Sequence, residues 1–554
     1  MTCEELAAEF PLGPDSLPQP GVPCGRIEPF TPPASRVFPG TVRDCWIYVP
    51  AQYDPATPAC VLIVQDGAEH LKPERRWHIP TVLDNLIQRQ EIPVTIGVFI
   101  NPGTIPAVVT GARARDNRSF EYDSRGDAYA RFLLEEILPE VARRYRLRSD
   151  AGSRCLMGGS SGAVCAFNAA WERPQEFGRV LSIVGSYTAL RGAHDLPPLV
   201  RITEPKPLRV FLQSGANDLR VFAGDWWTAN LEMLSALTYA GYEVEHVWAE
   251  HAGHDEFHGS MVFPAALRWV WRDHPAPISA GANSLQPLQK FLCPGEGWQL
   301  VPGDYERAAA ITADSRGRVV FADPETGTLF GVAADGAAVR LAEAGPGVAG
   351  LACGTNGEIL ATRPEHREIV AIDAKGAVSR VHDGIAAVGI DVAATGVLYV
   401  TEPSQQKLWR RDASAGWRAE KFKTLRPWGT RLSADQGRLV VTSTEAVDAQ
   451  VYTVRDDGSL ADGAPYYRLH RPAGATGSGA SELAAGRPGW ILFATPLGLQ
   501  LGTTGGLIAG LIALPEGTRA VGVAVGGTDG NDIYLSTGRQ VFRRRIRPEA
   551  DLWG

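Results

Sequence analysis

Residues 154–167 read RCLMGGSSGAVCAF: the end of an apolar strand, then Gly158-Gly159-Ser160-Ser161-Gly162, then the small residues of a helix start. G-x-S-x-G in a strand-turn-helix setting suits one chemistry, nucleophilic attack by a serine. So sharp a bend forces the serine into a strained backbone conformation that lifts its Oγ above the sheet. Glycines flank it because a Cβ there would strike the neighbouring strand and helix. Ser160 is therefore the candidate nucleophile. The amide of Ser161, in the first helical turn, points where an oxyanion would form, and the helix dipole strengthens it as a donor.

A serine hydroxyl needs a base, and the base needs an orienting acid. SGANDLR, after the apolar run 208–213, offers Asp218; EHAGHDEFHGS, after the run 244–249, offers His254 behind the small pair Ala252-Gly253. In these roles His254 takes the Ser160 proton and returns it to the leaving group, while Asp218 fixes the imidazole tautomer and stabilises the imidazolium. Asp218 suits a turn or helix cap equally well, and His258 is the rival base. A zinc cluster of Glu250, His251, His254 and His258 is disfavoured, because HEXXH is absent and Ala-Gly-His reads as a turn. A second oxyanion donor is expected after the run 59–65, where QDGAEHL offers the amide of Gly67 or Ala68; a plain Asp-Gly turn is the alternative. Weaker candidates for substrate contact are Trp226 and Trp227 behind an Asp225 cap, Arg118 and Glu121 in DNRSFEYD, and His258. Buried tryptophans and a structural ion pair are the competing readings.

The elements that must carry these residues show in the periodicity. Apolar strands are expected at 59–65, 94–100, 154–157, 179–184, 208–213 and 244–249. Amphipathic helices separate them, the clearest at 127–145, where Tyr129, Phe132, Leu133, Ile137, Leu138 and Val141 share one face. Such a pattern predicts a mostly parallel sheet covered on both sides. Serine, then acid, then histidine, from loops at the carboxyl ends of successive strands, is how an α/β-hydrolase sheet delivers its triad. This domain is expected over 38–275, after an extended Pro- and Gly-rich leader at 1–37 and before a linker at 276–289.

Over 290–548 the helical periodicity vanishes and β-rich phrases recur behind glycines: Gly317, Gly357, Gly396, Gly437, Gly489 and Gly530. Their intervals of 40, 39, 41, 52 and 41 residues are those of propeller blades, each a four-stranded sheet that must stack on its neighbours to bury its faces. The expected architecture is thus multidomain, an α/β-hydrolase domain followed by an all-β six-bladed propeller. The 554 residues and the excess of turn formers, 60 Gly and 40 Pro, agree with it.

Charge and hydropathy bound the partners. A formal net charge of −8 offers no basic face for nucleic acid or anionic membranes. No apolar run approaches the ~18 residues that cross a bilayer. The opening MTCEELAAEFPLGPDS has neither a basic nor an apolar leader region, so a cytoplasmic location is the default expectation, with export open if the true start lies upstream. Eight cysteines without CxxC pairs read as free thiols in a reducing compartment.

The phrases FPGTVRDCWIYVPAQYD, VQDG, NRSFEYD, ARFLLEEILPEV, GGSSGA and AGHD, in that order over about 20–275, resemble the enterochelin-esterase-like branch of the esterase-D and carbohydrate-esterase families. The resemblance implies serine carboxylester hydrolysis, with nucleophile, acid and base at Ser160, Asp218 and His254. Ala252 stands where that family commonly has a second glycine. The C-terminal half resembles six-bladed gluconolactonase (regucalcin-like) propellers, in which a Glu, an Asn and an Asp hold a divalent cation, often calcium, that polarises a lactone. By that resemblance the ligand positions fall at Ala309-Ala310-Ile311, Pro427-Trp428-Gly429 and Ser481-Glu482. Ala, Trp and Ser supply too few oxygens for a hard cation, unless Glu306 or Glu482 substitutes.

The reading is a serine carboxylester hydrolase acting through an acyl-enzyme on an acylated sugar or similar small-molecule ester. It needs no cofactor or metal, and the propeller is a metal-free accessory or substrate-binding domain. The alternatives are a calcium-dependent lactonase in the propeller, a siderophore (enterochelin-type) esterase, and a binding protein built on an inactive hydrolase.

Overall fold

The computed structural model describes residues 1–314, 316–412, 416–420, 426–486 and 489–547. Two compact units divide the chain: Met1–Arg201 with Pro205–Asn283, and Ser284–Gly554 with Ile202–Glu204.

The first unit is built on an eight-stranded sheet: β1 (Arg26–Phe30), β2 (Cys45–Val49), β3 (Cys60–Gln65), β4 (Thr95–Ile100), β5 (Arg154–Gly159), β6 (Arg179–Ile183), β7 (Arg209–Gly215) and β8 (Glu243–Ala249). Its order is β1-β2-β4-β3-β5-β6-β7-β8. The β1/β2 and β2/β4 pairs are antiparallel and every other pair is parallel. This is the α/β-hydrolase arrangement. β3 and β4 are buried at every residue, as strands covered on both faces must be. Helices α1 (Ile79–Gln88) and, at the end of the unit, Phe257–Trp271 seal one core, with Leu83, Leu86, Phe263 and Leu267 against Leu62 and Val64. The helix expected at 127–145 runs over 128–142, with a π-helical turn at Leu133–Ile137 just before Pro139.

The segment 1–37, expected as an extended leader, contains the helix Cys3–Glu9 and the edge strand β1. β1 carries Pro29, which an edge strand tolerates and a central one does not. The expected linker also divides. Asn283 donates to the Tyr239 carbonyl of the first unit, whereas Pro287–Phe291 is helical and buries Leu288 and Phe291 in the second.

The second unit is a closed six-bladed propeller of four-stranded antiparallel sheets. Innermost strands begin at Ile311, Gly350, Ile390, Pro427, Leu483 and Gly522, and each touches the next around the ring, the sixth returning to the first. The last blade takes its outermost strand from Gln299–Leu300, so the start of the domain closes the ring. Residue 548, the expected end of the propeller, lies outside the described residues. Each apolar cluster lies between two blades; one joins Val320 and Leu329 to Leu351, Ile359 and Val370. Of the six expected turn glycines, five have positive φ, but at Gly437 the left-handed residue is its neighbour Gln436 (φ 62°).

Five residues after its turn glycine, each of the first five blades carries Ala322, Thr362, Thr401, Thr442 or Ala494, and the sixth, one residue longer here, carries Ser536. Every hydroxyl in this series donates to a carbonyl at the start of the next blade: Thr362 to Val388, Thr401 to Trp428, Thr442 to Ser481 and Ser536 to Ala309. Where the fifth blade has Ala494, Ser481 bonds the sixth through the Val521 carbonyl instead. Thr401→Val keeps the shape but removes both this bond and the one that Thr401 Oγ1 accepts from the Gly389 amide at 2.9 Å, leaving a buried donor unpaired. It is expected to lower stability by about 2 kcal/mol, read as a lower urea midpoint for the full-length protein.

Candidate active site

The loops that follow β3, β4, β5, β6, β7 and β8 all leave the same carboxyl edge of the sheet. Ser160 follows β5 directly and opens helix α2 (Ser161–Glu172), with φ 58° and ψ −122°. That conformation strains any residue with a Cβ and persists only where the surroundings over-determine it. Here they do. A Cβ on Gly158 would lie 2.2 Å from the Gly162 carbonyl carbon and 2.3 Å from its oxygen, so strand and helix can meet only through glycine. The Ser160 amide donates to the Ile183 carbonyl at 2.9 Å, and its carbonyl accepts from the Ser186 amide at 3.2 Å.

The three residues expected to act together are joined by hydrogen bonds. His254 Nε2 is 2.8 Å from Ser160 Oγ, and His254 Nδ1 is 2.7 Å from Asp218 Oδ1. Neutral imidazole accepts at Nε2 when Nδ1 carries the proton, so the Ser160 hydroxyl donates to it. The Asp218 side chain is wholly buried, whereas that of His254 is 21% exposed. Asp218 also accepts from the Leu219 amide at 2.7 Å and from Ser214 Oγ at 3.2 Å, which fixes its orientation. The acid and histidine loops are pressed together at Gly215, where a Cβ would meet the Ala252 carbonyl oxygen at 2.2 Å. The Asn217 amide bonds that same carbonyl at 3.1 Å. Ala252 is fully buried in this contact.

Of the expected oxyanion donors, Ser161 and Gly67 have amides that no described side chain or loop carbonyl engages. Ala68 is a correction: its amide donates to Asn101 Oδ1 at 2.9 Å and is not available. Packing also requires glycine at 67: a Cβ there would strike the β4 backbone, 2.6 Å from Phe99 C and Ile100 N. Asp66, in the left-handed region at φ 55°, holds the turn and receives a two-pronged bond from Arg118 at 2.8 and 2.9 Å. Burial disfavours the Arg118 charge, but the Asp66 carboxylate outweighs it and raises its pKa.

The weaker candidates mostly have structural roles. Glu121 is buried under Arg43 (2.7 Å) and also accepts from Asn117 and the Gly103 amide, so it faces no substrate. His258 lies buried with Nδ1 on Gln213 at 2.8 Å and its ring against Phe10, and burial lowers its pKa; it is not a second base. Trp227 packs edge-on against Trp248. Trp226 is buried, set edge-on to the His254 ring at 5.9 Å, with its indole nitrogen on Ser186 Oγ. Arg118 acts through Asp66 on the turn. Sequence reasoning missed Asn101 and Ser186. Both sit just past a strand's carboxyl end, where α/β sheets place functional groups, and that position was the available signal.

In the propeller, the positions that resemblance assigns to a cation do not fit one. The Ala309 and Trp428 carbonyls accept the inter-blade hydroxyls, and the Ser481 hydroxyl donates to Val521 at 2.8 Å. Glu306 is exposed. Glu482 is buried, with Oε1 lacking a partner, and burial pushes its carboxyl up to about 7 against the pull of Arg431. Among the described residues no three His, Cys, Asp or Glu side chains are grouped to hold an ion. No described helix is long and apolar enough to cross a membrane.

Residues 39–268 match the Esterase family model, described as "Putative esterase". This stretch is an esterase domain. It is fused here to a six-bladed propeller. The Iron(III) enterobactin esterase of Dickeya dadantii (strain 3937) is 26% identical over 250 residues, 41% of this chain and 51% of that protein. The chain thus spans about half the length of that relative. The uncharacterized protein YjcH of Bacillus subtilis (strain 168) is 25% identical over 179 residues, 32% of this chain and 69% of its own. Among solved structures, a gluconolactonase from Xanthomonas campestris aligns with a TM-score of 0.42 at 16% identity, over 48% of this chain and 94% of its own.

The contact at Gly215 gives the esterase domain a sensitive point at a residue outside the hydrogen-bonded triad. Gly215→Ala must push Ala252 away and carry His254 with it. A displacement near 1 Å is expected to lower kcat/KM about 100-fold, measured with p-nitrophenyl acetate on protein whose circular dichroism is unchanged.

Proposed function

We propose that the esterase domain hydrolyses a small carboxylic ester through an acyl-enzyme on Ser160. Ser160 Oγ attacks the ester carbonyl as its proton passes to His254 Nε2. The tetrahedral oxyanion is held by the amides of Ser161 and Gly67, and collapse releases the alcohol, protonated by His254. Water, deprotonated by the same imidazole, then attacks the acyl carbon. The carbon–Oγ bond breaks, Oγ recovers its proton, and the carboxylic acid leaves. Asp218 keeps the His254 proton on Nδ1 and stabilises the imidazolium formed in both halves. The observation that carries this reading is the unbroken chain Ser160–His254–Asp218 at 2.8 and 2.7 Å, ending on a serine held at φ 58°.

We further propose an acylated sugar or similar uncharged ester as substrate, with the propeller as an accessory or substrate-binding domain that needs no metal. The chain's net charge of −8 disfavours a highly anionic ligand. The similarity to an Iron(III) enterobactin esterase favours a second reading, cleavage of a siderophore trilactone. A screen of acylated sugars, short-chain esters and a catecholate trilactone separates the two.

Ser160→Ala is expected to lower kcat on the order of 10³-fold or more with folding intact; normal turnover in that variant refutes the mechanism. Exhaustive chelation with EDTA is expected to leave ester turnover unchanged, and its abolition by EDTA would transfer the activity to a metal centre.

A further inference from the structure

One buried polar group beside the nucleophile has no part in the triad. Ser186 Oγ lies 3.0 Å from Ser160 Oγ, and on its other side the Trp226 indole nitrogen donates to it at 2.9 Å. An indole N–H can only donate. Ser186 must therefore accept from Trp226, and Ser160 Oγ is the described partner left for its own proton. Ser160 in turn directs its proton to His254, and His254 directs its own to Asp218. All four hydrogen bonds run in one direction, from Trp226 through Ser186, Ser160 and His254 to Asp218.

The backbone is built to keep this order. Val184, just past β6, sits at φ 41°, a conformation that a β-branched residue adopts only under constraint. Its amide is held by the Gln213 carbonyl at 2.7 Å. Asn230, one turn after Trp226 in the helix Trp226–Ala240, donates to the Gly185 carbonyl at 2.9 Å. The Ser186 amide is fastened to the Ser160 carbonyl, and the Ser160 amide to Ile183. Two strained turns are thus locked to each other with their hydroxyls face to face. Ser186 is fully buried, so water does not compete for its proton.

We propose that Ser186 is a further catalytic residue of the esterase domain, its hydroxyl turned by Trp226 so that it donates to Ser160 Oγ while negative charge gathers there. The inference rests on Ser160 being the nucleophile. Charge builds on Oγ twice: when His254 removes the proton for attack, and when the acyl carbon–Oγ bond breaks in deacylation and the electron pair returns to Oγ. A fixed donor in a water-excluded site serves both steps without reorganisation. It neither gives up its proton nor touches the substrate, so binding is unaffected.

The test compares wild type, Ser186→Ala, Trp226→Phe and Ser160→Ala as full-length proteins with p-nitrophenyl acetate. Enzyme-excess stopped-flow release of p-nitrophenol reads acylation, steady-state turnover gives kcat and KM, and thermal melts check folding. Ser186→Ala is expected to slow acylation and kcat each by about 10-fold at unchanged KM. Trp226→Phe, which keeps the hydroxyl but frees its proton to turn away, is expected to show a smaller loss in the same two quantities. Should Ser186→Ala fail to fold, the Trp226→Phe rates decide alone. Acylation and kcat within about two-fold of wild type, or a loss confined to KM, overturn the role of Ser186 and leave the nucleophile standing. Wild-type turnover in Ser160→Ala instead overturns the mechanism itself, and this proposal with it.

Discussion

Where β5 turns into α2, two backbones approach more closely than any side chain permits, and the rest of the site depends on that approach. Gly158 meets Gly162 at a distance only hydrogen atoms can fill. The turn between them puts Ser160 in a conformation unfavourable to a residue with a Cβ. Free in solution such a turn would relax. Here the Ile183 carbonyl and the Ser186 amide hold the Ser160 backbone from both sides. The strain aims Oγ at His254, and the flanking strands supply the rigidity that aiming requires.

The same device recurs around the site. At Gly215 the acid loop meets the histidine loop, and at Gly67 the candidate oxyanion turn meets β4, each at a separation that excludes a Cβ. These glycines bring no chemistry of their own. They let loops from separate strands share one small volume, so that side chains up to 94 positions apart in the chain reach hydrogen-bonding distance. The proposed hydrolysis places its demands on backbone packing as much as on the three side chains.

The propeller meets a different constraint. No blade can bury both faces alone, so stability comes from apolar clusters between neighbours. Hydroxyls at one recurring position add a bond from blade to blade. Those bonds occupy carbonyls at the positions where a cation would need oxygen, and Glu482 is left buried without a partner for Oε1. The ring is closed by its first strand, Gln299–Leu300, which pairs antiparallel with the last strand of the sixth blade.

Periodicity alone determined the parallel core of the sheet, the helices over it and the six repeats, because burial on a strand or helix face imposes a spacing on apolar residues that the chain must display. It also determined Ser160, Asp218 and His254 as candidates, since each follows an apolar strand and the elbow needs its glycines. It did not reveal β1, whose burial is partial and whose Pro29 speaks against a strand, nor the helix Cys3–Glu9. Only the tertiary structure decided that the Ala68 amide is engaged by Asn101, that Glu121 lies under Arg43, and that His258 faces Phe10. It alone brought Ser186 and the Trp226 indole to the nucleophile. These are contacts between residues from separate loops. A hydrogen bond depends on where two groups end up in space, and local spacing records only which face of its own element each residue occupies.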